Sequence, residues 1–302
     1  MDFPINLFKT PEDQAQYEAA YDAVMELWQV PHESRFVTTP HGQTHVISCG
    51  PQDAFPLVLL HGGYASSTMW FANIADLSAK FRVYALDTLG EPGKSIPTQP
   101  YASRQAMSDW LEQVFIELGI DKAHVVGLSR GGWLALNLAL LAPQRVGSVT
   151  LLSPAASFIQ LTPFFQALAA VVIRIPVKAV LRTTLYSWVA PGFAVHKDFE
   201  KQFILGLYHW NWKANSKGYS GVMPSVFISE ELGKLRMPVL LLIGDHDRLN
   251  SPESIQQAER MIPHLESGII PNAGHLLSME QPGLVDRRIL EFLAETSLEP
   301  VS

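Results

Sequence analysis

The stretch "AHVVGLSRGGWLALNLAL", residues 123–140, decides how this chain reads. A run of small and β-branched residues leads into one serine set among glycines, and a helix-like apolar pattern starts at once behind it. Gly127-Leu128-Ser129-Arg130-Gly131 fits Gly-x-Ser-x-Gly between a strand and a helix. A sharp strand-to-helix turn pushes a serine hydroxyl out above the sheet edge, and bulky neighbours would clash with the crossing chain. The following helix starts with free amides and the positive end of its dipole, which suits a developing oxyanion. Five-residue patterns also arise by chance, so the rest of the sequence must supply the partners such a serine needs.

Outward from that turn, buried apolar strands alternate with helices. "FPLVLLHGG" and "FRVYALD" read as strands before it, "VGSVTLLS", "MPVLLLIGD" and "ESGIIPN" as strands after it. "SRQAMSDWLEQVFIELG", Gly131 to Ala142, Ser251 to Met261 and Pro282 to Ala294 read as helices. This alternation predicts an α/β fold with a mostly parallel sheet covered by helices on both faces. "SRFVTTPHGQTHVISCG" reads as two strands around the turn Pro40-His41-Gly42, and Thr10-Pro11-Glu12-Asp13 caps a helix running to about Trp28. From Pro154 to about Arg236 the alternation stops and the pattern is helical and aromatic. The expected organisation is an N-terminal helical extension (1–30), a core (31–153 and 237–302) and an inserted helical cap (154–236).

A nucleophilic serine needs a base, and the base an orienting acid, in the chain order Ser, Asp or Glu, His for this architecture. "LLLIGDHDRLNSP" supplies Asp245 and Asp247 after a strand, and "IIPNAGHLLSMEQP" supplies His275 near the C-terminus. "VLLHGG", residues 58–63, puts glycines after an early strand, where a backbone amide completes an oxyanion hole. With these pieces in order, the chain resembles the α/β-hydrolases of the capped serine carboxylesterase type over residues from about 35 to 295. The motifs carrying the resemblance are His61-Gly62-Gly63, the Asp87-x-x-Gly90 turn, Gly127 to Gly132, Gly244-Asp-His-Asp247 and Gly274-His275. It implies Ser129 as nucleophile, His275 as general base and Asp247 as the acid, with Asp245 bracing the turn. It also implies that the amides of Gly63 and Arg130 form the oxyanion hole, with Tyr64 as the alternative to Gly63. Two features depart from the family pattern. Arg130 stands where an apolar or amide side chain is usual, and its guanidinium calls for an acidic partner. "DTLGEPGKS" is one residue longer than the usual turn.

The implied reaction is hydrolysis of small to medium apolar carboxylic esters through an acyl-enzyme, without cofactor or metal. The same triad acting on a thioester, amide or C–C bond, and a non-catalytic receptor for a small ligand, are the alternatives. The aromatic insertion, with Phe158, Phe164, Phe165, Trp188, Phe193, Phe203, Tyr208, Trp210 and Trp212, is expected to roof the site, although no candidate catalytic residue lies in it. Net charge is −7 with no basic patch, which argues against nucleic acid as a partner. No apolar run approaches the roughly 20 residues of a membrane span, and the N-terminus lacks a basic, apolar leader, so a cytoplasmic protein is expected. The oligomeric state is not readable. Gly93-Lys94-Ser95 ends like a phosphate loop, but Thr88 stands where its first glycine belongs and Pro92 removes an amide. His41 and His45 flank a turn without an acidic companion at ligand spacing. His61 is expected to brace the oxyanion loop, His124 to be a satisfied structural residue, and the single Cys49 a half-buried thiol.

Overall fold

The computed structural model describes residues 6–99, 101–160, 162, 176–211 and 222–296. Strands β1 (His32–Thr39), β2 (Gly42–Cys49), β3 (Pro56–Leu60), β4 (Arg82–Leu86), β5 (Ile96–Pro97), β6 (Ala123–Leu128), β7 (Val146–Leu152), β8 (Val239–Gly244) and β9 (Leu265–Ile270) form one sheet. Its order is β1-β2-β4-β3-β6-β7-β8-β9, with the short β5 beside β2. The hairpin β1–β2 and the β2–β4 pair are antiparallel, whereas β4-β3-β6-β7-β8-β9 run parallel.

Successive residues of the central strands enter opposite cores. Leu57 and Leu59 pack on one face and Val58 and Leu60 on the other; Leu240 and Leu242 alternate with Val239, Leu241 and Ile243 in the same way. These positions of β3 and β8 are all apolar because helices cover both faces. Helices α3 (Arg104–Leu118) and α4 (Arg130–Leu141) lie on one side, with α8 (Pro252–Met261). The other side holds α1 (Pro11–Met25), α2 (Ile74–Ser78) and α10 (Pro282–Glu295). Thr10 caps α1 through Asp13 N–H, and Ser103 caps α3 through Ala106 N–H. Gly119, at φ 72°, closes α3 in the left-handed region.

Between β7 and β8 the described residues form α5 (Lys178–Ser187), α6 (Lys197–His209) and α7 (Ser229–Leu232), and no strand. Phe164, Phe165 and Trp212, named above as roof residues, lie outside the described residues. Helix α1 is tied directly to α6: Gln202 Nε2 donates to Tyr17 Oη at 3.2 Å, and His209 Nδ1 lies 2.6 Å from Asp13 Oδ1. Phe8 meets the ring of Trp210 at 5.8 Å. The N-terminal helix thus packs against the insertion as well as the sheet, where Tyr21 Oη lies 3.3 Å from His45 Nδ1 of β2.

Candidate active site

Ser129 occupies the turn between β6 and α4 at φ 53° and ψ −115°, a region that non-glycine residues avoid. Three backbone bonds hold it there. Its N–H donates to Leu152 O at 2.9 Å, and its carbonyl accepts from Ala155 N at 3.0 Å and Trp133 N at 3.1 Å. The flanking glycines answer to close approach. A Cβ on Gly127 would run into the Gly131 carbonyl, and one on Gly131 into the Leu60 carbonyl. The fold therefore admits no side chain at either position without moving β3 or α4.

His275 comes from the loop between β9 and α9 (Leu277–Glu280), and Asp247 from the loop after β8. Their side chains are buried, and His275 Nδ1 lies 3.2 and 3.3 Å from Asp247 Oδ1 and Oδ2. Leu249 N donates to Oδ1 at 2.8 Å and Asn250 Nδ2 to Oδ2 at 3.0 Å. Burial pushes the Asp247 carboxyl up, but the facing imidazole and these donors outweigh it and hold it below the ordinary carboxylate range. Asp245 instead accepts from Ala273 N at 3.1 Å and does not pair with His275.

The histidine loop has a second carboxylate behind it. Glu280 is buried, and its oxygens accept from Gly274 N at 2.9 Å, Leu276 N at 3.1 Å and Ala190 N at 2.6 Å. The first two amides flank His275 and the third belongs to the insertion. Burial raises this carboxyl despite the three donors. His275 N also donates to Trp188 O at 2.6 Å. The insertion thus fixes the backbone of the histidine loop, a role that the separation of catalytic candidates from cap in the sequence did not anticipate.

Across the site, Tyr64 N donates to Glu91 Oε2 at 2.8 Å. The N–H groups of Gly63 and Arg130 meet no acceptor among the described residues. The acidic partner expected for Arg130 is the same Glu91, supplied by the lengthened turn: Arg130 Nε lies 3.0 Å from Glu91 Oε1 with both side chains about nine-tenths buried. The Nε–H is not aimed along that contact, so the pair is coulombic rather than a formed hydrogen bond. His61 braces the same loops, its Nε2 accepting from Thr88 N at 2.9 Å while Nδ1 meets Gly62 O at 2.7 Å. Burial lowers its pKa, and the Thr88 amide requires the neutral ring.

Gly63, Tyr64, Ser129, Arg130 and His275 line one cavity of about 160 Å³, with Asp247 behind His275. Its remaining walls are mostly apolar and include Met69, Leu128, Leu249 and, from the insertion, Trp188, Phe199, Phe203, Leu207 and Met223. Of the expected roof, Trp188 and Phe203 reach the cavity. Phe158 is in the core under α4, Phe193 packs on the opposite core, Trp210 meets Phe8, and Tyr208 lies beneath Lys9 and Lys178. Phe199, Glu91 and Glu280 were not singled out in the sequence. The first was readable as one more aromatic of the insertion, but nothing local marks either glutamate, because their partners are distant in the chain.

The remaining candidates have structural partners. Lys94 Nζ pairs with Asp22 at 2.6 Å and His124 Nδ1 with Ser148 Oγ at 2.7 Å. Cys49 is fully rather than half buried, and burial pushes its thiol up to about 11. No group of three or more His, Cys, Asp or Glu among the described residues is arranged to hold a metal ion, and no described helix is long and apolar enough to cross a membrane.

Known proteins carry the same arrangement of chain. The sequence profile of the alpha/beta hydrolase family matches residues 57–288. The chain is 41% identical to the uncharacterized carboxylesterase nap of Bacillus subtilis over 94% of both chains. It is 36% identical to carboxylesterase YbfK of the same organism, over 95% of this chain and 96% of that one. The crystal structure of naproxen esterase (carboxylesterase NP) from Bacillus subtilis superimposes with a TM-score of 0.89 at 39% identity, covering 94% of this chain and 99% of that chain.

Proposed function

Since the chain belongs to the alpha/beta hydrolase family and is a carboxylesterase-like enzyme, we propose that it cleaves small to medium apolar carboxylic esters through an acyl-enzyme on Ser129. His275 takes the Ser129 proton as the hydroxyl oxygen attacks the ester carbonyl. Asp247 orients the imidazole and stabilises its charged form. The amides of Gly63 and Arg130 hold the oxyanion, a choice favoured over Tyr64 because the Tyr64 amide already serves Glu91. His275 then protonates the leaving alcohol, and water cleaves the acyl-enzyme by the same steps. No step calls on a cofactor. The observation that carries this reading is the meeting, in one cavity, of a serine in a forced backbone conformation and a histidine backed by a buried carboxylate.

The substrate class follows from the walls. They are apolar, and Arg130 is neutralised by Glu91, so it offers no charge to an anionic acyl group. A cavity of about 160 Å³ suits short groups. Each methylene it buries contributes up to about 0.8 kcal/mol, roughly a fourfold gain in kcat/KM, until the space is filled. A series of p-nitrophenyl esters of rising acyl length tests this. A rise followed by a plateau or fall is expected, with anionic acyl groups poor. A flat profile or a preference for anionic acyl groups would overturn it, and turnover of the matching thioesters or amides but not of esters would move the assignment to those bonds.

A further inference from the structure

Arg130 and the lengthened Asp87–Ser95 turn are the two places where the sequence departs from the family pattern, and the fold brings them into one contact through Glu91 of that turn. Arg130 follows the serine, and its backbone amide starts α4. Its aliphatic stem runs beneath Gly63: a Cβ placed on Gly63 would lie 3.6 Å from Arg130 Cδ and 3.7 Å from its Cβ. The guanidinium ends 3.0 Å from Glu91 Oε1, and Glu91 Oε2 accepts the Tyr64 amide at 2.8 Å. The contacts close a ring through Gly63, Tyr64, Glu91 and Arg130. That ring joins the two loops whose amides the proposed mechanism uses. Tyr64 is itself held at φ 64°, so the peptide between it and Gly63 depends on tertiary contacts for its orientation.

We infer that the buried Glu91–Arg130 pair sets the oxyanion hole, with Glu91 as a positioning residue that fixes the Gly63–Tyr64 peptide relative to the start of α4. The longer Asp87–Ser95 turn and the charged residue after the serine are then one adaptation: the turn delivers the carboxylate that the arginine holds. A buried charge without its partner is strongly disfavoured, so neither residue is expected to tolerate loss of the other. Oxyanion donors act only if they sit about 2.7–3.1 Å from the developing charge, and losing one costs roughly 10²–10³-fold in kcat. A loosened pair therefore acts on kcat more than on KM.

This inference rests on the acyl-enzyme reading, and the test separates the two. Wild type, Ser129→Ala, Glu91→Ala and Glu91→Gln are compared for kcat and KM on p-nitrophenyl butyrate, and for inhibition by an aryl trifluoromethyl ketone. That ketone's adduct with a serine places an alkoxide in the oxyanion hole. Folding is checked by thermal denaturation. Glu91→Ala is expected to lower kcat about 100-fold with KM within threefold, and to weaken the ketone by a similar factor. Glu91→Gln keeps an acceptor for Tyr64 N–H and should recover at least tenfold of that loss. Folded Glu91→Ala with wild-type kcat and ketone affinity, or a change in KM alone, would overturn the inference while an inactive Ser129→Ala left the reading standing. If Ser129→Ala keeps its activity, both fall. If Glu91→Ala does not fold, Glu91→Gln decides: a parallel loss of several-fold in kcat and ketone affinity supports the pair, and no change in either overturns it.

Discussion

At the scale of single residues, identity matters less than what each side chain is held by. Asp245 and Asp247 are two residues apart on one loop, yet Asp247 faces the imidazole while Asp245 accepts a backbone amide at the loop base. Replacing Asp247 with Asn leaves the shape and removes the charge that favours the charged imidazole, so ester kcat should fall about 10⁴-fold. Asp245→Asn keeps an acceptor for Ala273 N–H and should cost tenfold or less. Turnover of p-nitrophenyl butyrate by the two variants checks this, and the reverse order would contradict it. Ser129, Asp247 and His275 were legible as candidates because each follows a strand in a short glycine-bearing loop. Glu91 was not. A glutamate in a turn looks like any solvated charge until the fold places Arg130 beside it.

At the scale of elements, the short helix α9 matters beyond its length. It presents Glu280 back to the loop that carries His275, and the carboxylate gathers amides on both sides of the histidine and one from the insertion. Glu280→Gln would turn an amide donor toward these N–H groups, each unmet buried donor costing about 1–3 kcal/mol. A displacement of His275 by about 1 Å lowers the rate on the order of 10²-fold. The variant is therefore expected to lose about 3 kcal/mol of stability in urea denaturation, and kcat by about 10²-fold with KM less affected. Unchanged kcat in a destabilised variant would reduce Glu280 to a structural brace. Core strands and helices were readable from period and caps. The helices of the insertion were readable as helices, but which aromatics of that segment face the cavity was not: Trp188 and Phe203 do, whereas Trp210 packs on Phe8 and Phe158 is buried in the core that also holds α4.

The whole molecule carries a pH dependence of its own, away from the cavity. Asp286 on α10 is buried and accepts from Asn73 Nδ2 at 2.8 Å. Burial pushes its carboxyl up to about 8, opposed by the Asn73 bond and reinforced by Asp76. Between the ordinary carboxylate range and pH 8 the folded chain keeps a proton that the unfolded chain releases, so this group makes stability fall as pH rises through that window. Asp286→Asn removes the titration. Its denaturation midpoint relative to wild type should rise steadily from pH 4 to pH 8; a difference independent of pH would contradict the neutral carboxyl. The fold as a whole was legible because both sheet faces are covered and the central strands β3 and β8 are apolar along their length. The packing of α1 on the insertion was not, since the contacts of Phe8, Asp13 and Tyr17 with α6 and Trp210 join residues 185 or more positions apart in the sequence.

The central claim is that Ser129 forms a covalent acyl-enzyme with His275 as its base. The most direct test is labelling with a fluorophosphonate probe followed by peptide mass mapping, alongside ester turnover. One adduct, on the peptide containing Ser129, is expected. Labelling should collapse in His275→Ala, and Ser129→Ala should lose about 10⁶-fold in kcat, because the members act as a unit. An adduct on another residue, or a Ser129→Ala variant that keeps about a tenth of wild-type turnover instead of that loss, would contradict the account.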